Sequence, residues 1–415
     1  MRRLALALAA AVLAPAHALA DAGEPSHAND FFGGAIDLDG DRLAVGVVGS
    51  NADGLDAGLV HVYSYERGEW RLTAQLANPA DSPAHGAFGR ALALAGDSLA
   101  VAATIADTRG VVHVFTRQGD AWSEQARLDD PNTDHDDFGR ALALAGDTLA
   151  VVATGRVRDR GELPPRATIF RRDGDQWREQ ARLDLPALGL RGLALGDGTL
   201  LLGLGGDPAV LAYRRDGDQW RPDPSLAIAP RTLESLAVDG DTAIVLVDGD
   251  DPRALVFRDA GDAWSLEQEL DYARDIPSSP SPYALDLDGD RAAVSFYFHL
   301  EDAGERTRVA LWSRAGGDWQ HAGDLDVPPA EAKTPDNFGT TLAVGARWLA
   351  VGAPRSGEAR HDQSGLVYIY ATGGLSEVAL LGPGDALGGC GCRGGGPGGL
   401  LVGLLALVRR RRRSR

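Results

Sequence analysis

A run of aspartates in the first half of the chain has the side chains needed to hold a cation. Five carboxylates surround His135, and they are Asp129, Asp130, Asp134, Asp136 and Asp137. Calcium is coordinated by oxygen atoms, chiefly those of carboxylates and carbonyls. A dense run of like charges is also typical of a solvated connection between strands, and that interpretation is favoured here. These residues are candidates for a calcium site, and no cofactor is firmly predicted.

Residues with the types and spacing of a known catalytic centre are absent from the sequence. It contains no G-x-S-x-G, H-E-x-x-H, phosphate-loop or dinucleotide-binding pattern. His61 and His113 lie at equivalent positions of a repeat, each two residues before an aromatic residue. Thr, Leu, Ala and Tyr take this position elsewhere in the chain, which favours packing within a sheet over a catalytic pair. No catalytic residue is predicted.

Six tryptophans recur at a fixed distance from an aromatic residue. Each lies seven residues after that residue, and the six are Trp70, Trp122, Trp177, Trp220, Trp264 and Trp319. Exposed aromatic rings can form a platform for carbohydrate, but the constant spacing indicates a hairpin of constant length. We therefore expect these rings to cover a sheet edge or to pack between neighbouring sheets.

The tryptophans belong to a unit of about 50 residues that occurs seven times. In each unit an apolar alternation ends at a tight turn, and a second apolar strand, a variable connection and a third strand follow. The turns are placed at Gly40-Asp41, Gly96-Asp97, Gly146-Asp147, Gly196-Asp197, Gly240-Asp241, Gly289-Asp290 and Gly345-Ala346. The aromatic residues of the third strands are Tyr63, Phe115, Phe170, Tyr213, Phe257, Trp312 and Tyr370. Glycine supplies the positive φ that such hairpin turns require.

Four short antiparallel strands in each unit predict an all-β protein, a seven-bladed β-propeller of four-stranded antiparallel blades. One unit cannot bury both faces of its sheet, so it must pack against its neighbours. The fourth strand of the last unit is predicted at 375–381, although Glu377 replaces the tryptophan there. A β-helix is the alternative fold, but its coils have much shorter periods.

The first residues of the units carry a family resemblance. Phe-Gly pairs open four units, at Phe32, Phe88, Phe138 and Phe338, and we align Arg191-Gly192, Glu234-Ser235 and Tyr283-Ala284 with them in the other three. Together with Val351-Gly352-Ala353-Pro354 in the last unit, this pattern resembles the FG-GAP repeat of the integrin α-chain propeller. The fuller form resembles the bacterial branch of that repeat family, over about residues 31–381.

In the integrin type of repeat, calcium often binds a D-x-D-x-D-G loop between the first and second strands. Two groups of residues imitate that loop, namely Asp37, Asp39 and Asp41, and Asp286, Asp288 and Asp290. The connection here is a tight turn, however, and it lacks the longer loop that wraps an ion. We therefore expect solvated turn aspartates at these positions.

The two faces of such a propeller differ in their loops. The turns between strands one and two and between strands three and four lie on one face, which we call the turn face, and they are short and constant. The connections between strands two and three and between blades lie on the opposite face, the variable face, and the former vary in length. Individual loops on a rigid scaffold are where recognition usually occurs. The variable face is therefore the predicted binding face, although no ligand-binding residue is predicted.

Composition and the chain termini limit the compartment and the partners. The chain has 59 acidic and 41 basic residues, with a formal net charge of −18, which disfavours nucleic acid as a partner. Residues 1–20 have the layout of a secretory signal peptide with cleavage after Ala20, and residues 21–30 form a polar lead-in. Both cysteines, Cys390 and Cys392, lie near the C-terminus, so the globular part contains no disulfide.

The C-terminal end of the chain resembles a myxobacterial sorting tail (MYXO-CTERM). A Gly-rich linker with a Cys-Gly-Cys motif spans 382–399, a short hydrophobic helix spans 400–408, and an Arg-rich end spans 409–415. The resemblance implies recognition by sorting and processing machinery through Cys390 and Cys392, with at least transient anchoring in a membrane. The arginines would remain cytoplasmic and leave the propeller outside.

These observations lead to one functional hypothesis and two alternatives. The hypothesis is an exported, cell-surface propeller that acts as a binding or adhesion module for a surface protein or glycan, and not as an enzyme. One alternative is an extracytoplasmic hydrolase or lyase, which requires titratable residues from several blades to converge in the propeller channel. The other is a passive structural protein of the cell envelope.

Overall fold

A computed structural model describes most of the chain between the predicted signal peptide and the predicted tail. It covers residues 30–50, 57–79, 86–104, 109–130, 136–154, 157–158, 161–162, 164–223, 226, 232–249, 252–261, 263–274, 276, 280–300, 304–326, 337–356, 364–383 and 385. Ala20, Cys390 and Cys392 lie outside the described residues, as do the hydrophobic stretch and the arginine end. No helix within the described ranges is long and apolar enough to cross a membrane.

Seven four-stranded antiparallel sheets follow one another along the chain, which confirms the predicted seven-bladed β-propeller. In every sheet the strands are ordered as in the sequence. Blade 1 consists of β1 (Ile36–Asp39), β2 (Arg42–Val47), β3 (Leu59–Glu66) and β4 (Glu69–Ala77), and blade 2 of β5 (Leu92–Ala95), β6 (Ser98–Thr104), β7 (Gly110–Gln118) and β8 (Ala121–Asp129). Blade 3 consists of β9 (Asp136–Ala145), β10 (Thr148–Thr154), β13 (Arg166–Asp173) and β14 (Gln176–Asp184). A small hairpin of β11 (Val157–Arg158) and β12 (Gly161–Glu162) precedes β13.

The later blades have the same plan. Blade 4 consists of β15 (Leu190–Leu195), β16 (Thr199–Leu204), β17 (Val210–Asp216) and β18 (Gln219–Pro222), and blade 5 of β19 (Thr232–Asp239), β20 (Thr242–Asp248), β21 (Arg253–Asp259) and β22 (Trp264–Leu270). Blade 6 consists of β23 (Ser281–Asp288), β24 (Arg291–Leu300), β25 (Gly304–Ala315) and β26 (Asp318–Asp326). Blade 7 consists of β27 (Thr341–Val344), β28 (Trp348–Ala353), β29 (Leu366–Ala371) and β30 (Ser376–Leu381). The predicted fourth strand of the last unit is thus present as β30.

The hydrophobic core lies between the blades and not within them. Seven clusters of buried side chains are present, and each joins two neighbouring blades. Successive residues of a strand point to opposite faces of the sheet, so each blade packs one face on the preceding blade and the other on the following blade. This explains why second strands such as Thr148–Thr154 are apolar on both faces and almost completely buried.

The predicted turn positions are correct in five blades. Glycines with φ between 53° and 59° occupy the first central position, as in type II′ turns, and they are Gly40, Gly96, Gly146, Gly240 and Gly289. Blades 4 and 7 differ, because the N–H groups of Gly196 and Gly345 donate across the turn, over 2.9 and 2.8 Å. The turn residues are therefore Asp197-Gly198 and Ala346-Arg347, one position later than predicted. Strand register sets the turn, and a Gly at its edge is not sufficient to locate it.

Strand register also corrects the alignment of the Phe-Gly pairs. Leu193, Leu236 and Leu285 pair with the second strand as Ile36 does in blade 1. The residues four positions earlier and their neighbours take the place of Phe-Gly, and they are Gly189-Leu190, Thr232-Leu233 and Ser281-Pro282. The predicted equivalents, Arg191-Gly192, Glu234-Ser235 and Tyr283-Ala284, lie two residues later. A degenerate pair of residues cannot be aligned until the strands that follow it are paired.

Blade 7 closes the ring on blade 1 without exchange of a strand. Its fourth strand is its own β30, and one core cluster joins the two blades. The indole N–H of Trp348 donates to Asp41 Oδ1 over 2.8 Å, across this junction. Beyond β30 the chain continues onto blade 1, where the Tyr63 hydroxyl donates to Asp385 Oδ2 over 3.0 Å. Side-chain contacts therefore join the two ends of the propeller.

Candidate site at the channel mouth

The first strands of all seven blades surround a central channel. Its volume is about 490 Å³, which is within the range of small-ligand sites. Most of the lining residues are Leu and Ala at repeated positions, with Ile36–Asp39 of blade 1, Val238 and Asp239 of blade 5, and Leu285–Asp288 of blade 6 as departures. The channel is thus uniform around most of its wall and acidic where these departures occur.

Carboxylates of the first strands line the channel on three blades of the described chain. They are Asp37 and Asp39 of blade 1, Asp239 of blade 5, and Asp286 and Asp288 of blade 6. The blades between them have Ala or Gly at the same positions, for example Ala93 and Ala143. The channel therefore has an acidic side on blades 5, 6 and 1, and a side without strand carboxylates on blades 2, 3 and 4.

The channel carboxylates link neighbouring blades. Oδ2 of Asp37 accepts a hydrogen bond from the backbone N–H of Leu94 in blade 2, over 2.7 Å. Oδ2 of Asp286 accepts one from Val344 in blade 7, over 2.6 Å. The sequence predicted solvated turn aspartates here, and that is wrong for Asp37 and Asp286. Both are half-buried strand residues, because the alternation of β1 and β23 directs them to the next blade.

Burial of these carboxyl groups changes their acidity. It raises the pKa of Asp37 to about 7, and the nearby Asp286 carboxyl contributes to this increase. Burial likewise raises the pKa of Asp286 to about 6, while the hydrogen bond from Val344 opposes the increase. Carboxyl groups that titrate near neutral pH can act as general acids or bases. No described residue that lines the channel is a histidine.

An extra residue interrupts the pairing of the first and second strands at the end of the channel opposite the turns. In blades 4, 5 and 6 the register skips Arg191, Glu234 and Tyr283. In blade 1, hydrogen bonds of 3.1 and 2.9 Å from Gly33 N to Gly46 O and from Gly46 N to Ala35 O leave the residue between them unpaired. Such β-bulges redirect side chains and are frequent at the rims of closed sheets. The seven bulge positions are Gly34, Arg90, Arg140, Arg191, Glu234, Tyr283 and Thr340.

The bulge positions define the mouth of the channel on the variable face. Each lies two residues before the first lining residue of its strand, on the side away from the Gly-Asp turns. Sequence reasoning missed this set, because the repeat made it one variable position among many. The available signal was the residue that directly follows each Phe-Gly pair, which is Arg90 in blade 2 and Arg140 in blade 3.

Arginines occupy the bulge positions of three consecutive blades. Nη1 of Arg90 lies 2.5 Å from Asp137 Oδ1, so this guanidinium is paired. Arg140 is exposed and forms no ion pair within the described ranges. Nη1 of Arg191 lies 3.6 Å from Glu234 Oε2, and 46% of its side chain is exposed. Burial lowers the pKa of Arg90, and the charge of Arg140 adds to that effect.

An exposed tyrosine occupies the bulge position of blade 6. Tyr283 is 42% exposed, and in the described chain only Leu266 is a more exposed large hydrophobic residue. The ring of Tyr283 lies 5.0 Å from that of Tyr297, with 35° between the planes. Burial raises the pKa of Tyr283. The charge of Glu305 adds to this increase, and the charge of Arg355 opposes it. The mouth thus combines an aromatic pair with nearby charged groups.

The predicted calcium candidates are only partly described. Asp137 pairs with Arg90, and Asp129 Oδ1 lies 3.5 Å from Arg127 Nη2. The pKa of Arg182 is raised by its hydrogen bond with Glu179 and, to a smaller extent, by the charge of Asp130. No group of three or more acidic, His or Cys side chains in the described ranges is arranged to hold a metal ion. Asp134 and the side chain of Asp136 lie outside those ranges.

The histidines and tryptophans occupy structural positions. His61 is buried between the Tyr63 hydroxyl and Gln75, and burial lowers the pKa of His61 to about 3. The His113 side chain is buried, and its Nδ1 lies 2.7 Å from Glu124 Oε1.

Two tryptophans join neighbouring blades through their indole N–H groups. Trp177 donates to Gln125 over 2.9 Å, and Trp220 donates to Gln180 over 3.1 Å. Both bonds cross from one blade to the preceding one, as expected for rings that pack between sheets.

No protein-family model and no curated protein matches the chain. Solved structures do resemble it, among them a putative 6-phosphogluconolactonase from Bacteroides uniformis, with a TM-score of 0.54, 11% identity, and coverage of 85% of this chain and 98% of that chain. A putative 6-phosphogluconolactonase from Bacteroides fragilis matches with a TM-score of 0.52 and 12% identity, over 85% of this chain and 96% of that chain. A chain of a mitotic checkpoint complex matches with a TM-score of 0.50 and 13% identity, over 79% of this chain and 90% of that chain. Identities this low establish a shared fold alone, and the chain is a seven-bladed β-propeller.

Proposed function

We propose that this protein is an exported, cell-surface binding module that takes its ligand at the channel mouth on the variable face. The observation that carries the proposal is the set of bulge positions. Directly below them, the first strands repeat Leu and Ala around most of the channel. At the bulge positions themselves, the seven blades carry Gly, Arg, Arg, Arg, Glu, Tyr and Thr. A rigid ring that presents different side chains at one position is suited to recognition.

The residue types at the mouth support binding. Tyrosine and arginine are enriched among the residues that dominate binding energy at interfaces. The Tyr283 and Tyr297 rings provide exposed aromatic surface, and Arg140 and Arg191 provide exposed donors. The ligand is a surface protein or a glycan, and the binding serves adhesion or capture at the cell envelope.

Export and sorting are part of the same proposal. The N-terminal 20 residues direct secretion, and the tail holds the protein at a membrane and presents Cys390 and Cys392 to sorting and processing machinery. We also assign the repeats to the FG-GAP type. In support, each of three Phe-Gly pairs lies against a glycine that precedes or begins the third strand of the neighbouring blade, as Phe88 does with Gly58.

A second candidate function is hydrolysis or elimination in the channel. Asp37 and Asp286 favour it, because both have a raised pKa and they lie close enough to influence each other. Their hydrogen bonds to backbone N–H groups of the next blade give them a structural role as well, so we prefer binding without catalysis. Turnover of a bound glycan that is lost in both Asp37→Ala and Asp286→Ala, with binding retained, would establish the enzyme instead.

The proposal is tested by binding of the purified protein to a glycan array and to solubilised envelope proteins. We expect Tyr283→Ala to weaken binding about tenfold, in line with the loss of an interface anchor. Leu266→Ala is the matched control, since Leu266 is 51% exposed but lies on the outer strand of blade 5. Equal loss in both variants, or no loss in either, contradicts a site at the mouth. Absence of any ligand supports the passive envelope protein.

A further inference from the structure

Within the described ranges, two of the three arginines at the channel mouth, Arg140 and Arg191, lack the close ion pair that Arg90 and several arginines of the turn face have. On the turn face, several guanidiniums pair closely with turn aspartates, as Arg172 does with Asp97 over 2.9 Å and Arg314 does with Asp290 over 2.7 Å, although Arg215 lies 3.9 Å from Asp147. At the mouth, Arg140 has no ion pair within the described chain, and Arg191 has a contact of 3.6 Å. Exposed guanidinium groups therefore remain available on this side of a chain that is acidic overall.

The position of these arginines around the ring is also specific. Arg90, Arg140 and Arg191 belong to blades 2, 3 and 4, whose first strands, like that of blade 7, contribute no carboxylate to the channel wall. The strand aspartates of the channel lie on blades 5, 6 and 1, and Asp197 in the turn of blade 4 also lines it. Each strand aspartate lies deeper in the channel than the bulge residue of its own strand. An anion at the mouth would thus meet guanidinium groups beside it and repulsion below it.

We infer that Arg90, Arg140 and Arg191 form an anion-binding subsite that takes the acidic groups of a saccharide, and this inference rests on the proposed binding function. Arg140 and Arg191 bind the anion directly, since a guanidinium can donate two parallel hydrogen bonds to a carboxylate or sulfate. Arg90, paired with Asp137, adds to the positive field. Tyr283 offers its ring to the sugar from blade 6. Carboxylate and sulfate share this chemistry, and the choice between them is made by experiment.

The inference is tested with the full-length protein and three polysaccharides: polygalacturonate, dextran sulfate and neutral dextran. We expect binding to at least one polyanion and none to dextran, with binding weakened by salt. The double variant Arg140→Ala/Arg191→Ala should weaken polyanion binding more than tenfold. Arg140→Lys/Arg191→Lys should retain part of it, because the charge remains while the paired donors are lost. Preference for polygalacturonate identifies carboxylate as the group recognised, and preference for dextran sulfate identifies sulfate.

The matched control is the double variant Arg178→Ala/Arg221→Ala. These arginines lie on the outer strands of blades 3 and 4, and their side chains are 66% and 65% exposed. Equal loss in the control, or polyanion binding that survives Arg140→Ala/Arg191→Ala, overturns the inference. Failure of the wild type to bind either polyanion also overturns it. If the array still shows a neutral ligand whose binding requires Tyr283, the proposed function stands without the anion subsite. Melting temperatures of all variants verify that they are folded.

Discussion

The junctions between blades are of two kinds, and they differ in what makes the contact. At the junctions into blades 1, 2 and 3, where the following blade begins with Phe-Gly, main chain meets main chain. A Cβ added to Gly110 would lie 1.7 Å from the carbonyl oxygen of Phe138, and one added to Gly58 would lie 2.3 Å from that of Phe88. Only glycine permits this approach.

At the junction into blade 5, side chains make the contact. Gly203 faces the side chains of Leu233 and Leu236 in blade 5. Across the same junction, Arg214 forms a bidentate ion pair with Asp259, and it also pairs with Asp223 of its own blade.

The comparison explains where the repeat is regular and where it has drifted. A main-chain contact of this kind admits only glycine on the preceding blade, which favours retention of the motif at the junctions into blades 1, 2 and 3. A side-chain contact can be rebuilt from different residues of similar volume, which most cores tolerate. The loss of Phe-Gly in blades 4, 5 and 6 therefore does not interrupt the ring. Four experiments test this distinction, from the largest expected effect to the smallest.

Removal of residues 375–415 should have the largest effect. It deletes β30, whose Leu381 is completely buried, and it exposes the edge of β29 at the junction that closes the ring. We expect aggregation and the loss of a cooperative melting transition. Removal of 386–415 is the control, since it retains β30 and Asp385. A melting curve that is the same for both truncations would show that this junction is not required for closure.

Gly110→Ala should destabilise the protein by about 3 kcal/mol, because overpacking here forces two main chains apart. Gly374→Ala is the control, since a Cβ at that position meets nothing within 4 Å. The free energies of unfolding from denaturant titration give the comparison. A loss below about 1 kcal/mol for Gly110→Ala would remove the distinction between main-chain and side-chain junctions.

Arg214→Ala should lower the free energy of unfolding by about 2 kcal/mol at neutral pH. This is less than the loss of a partner from a fully buried ion pair, because the guanidinium is partly exposed. The hydrogen bond from Arg214 lowers the pKa of Asp259. A lowered pKa stabilises the fold above the pKa of the unfolded carboxyl and loses that effect as the pH falls through the folded value. The difference between wild type and variant should therefore shrink in acid. Arg178→Ala should change the free energy of unfolding by less than about 0.5 kcal/mol.

Asp37→Ala should have the smallest effect on the junction itself, since Ala occupies this position in five of the seven blades. The pKa of Asp37 is raised from 3.8 to about 7, so the folded state holds its proton more tightly than the unfolded state. Wild-type stability should therefore decrease as the pH rises from about 4 to about 7, and the variant should show a shallower decrease. Gly374→Ala, which removes no titratable group, should keep the wild-type slope. Unfolding measured across this range checks both.

The repeated chemistry of the sequence was sufficient to predict the blades. Turn glycines, apolar alternation and the aromatic-to-Trp spacing are local features that recur, so seven weak signals combine into one strong prediction. The same regularity predicted β30 in spite of Glu377, and it predicted that the tryptophans cover a sheet edge or pack between sheets. Local patterns were insufficient where the register changes, as at Gly196 and Gly345, and at the drifted Phe-Gly pairs.

The sequence by itself determined a ring of seven four-stranded blades with one uniform and one variable face, because each strand is encoded by its own alternation and turn. Only the tertiary structure decided which side chains meet. The Asp37 and Asp286 carboxyls reach backbone groups 57 and 58 residues away, and Asp385 reaches Tyr63 across 322 residues. The bulge positions form a mouth only once the first strands surround a channel. Contacts of this kind depend on blade packing and on strand register, and neither is encoded within a single repeat.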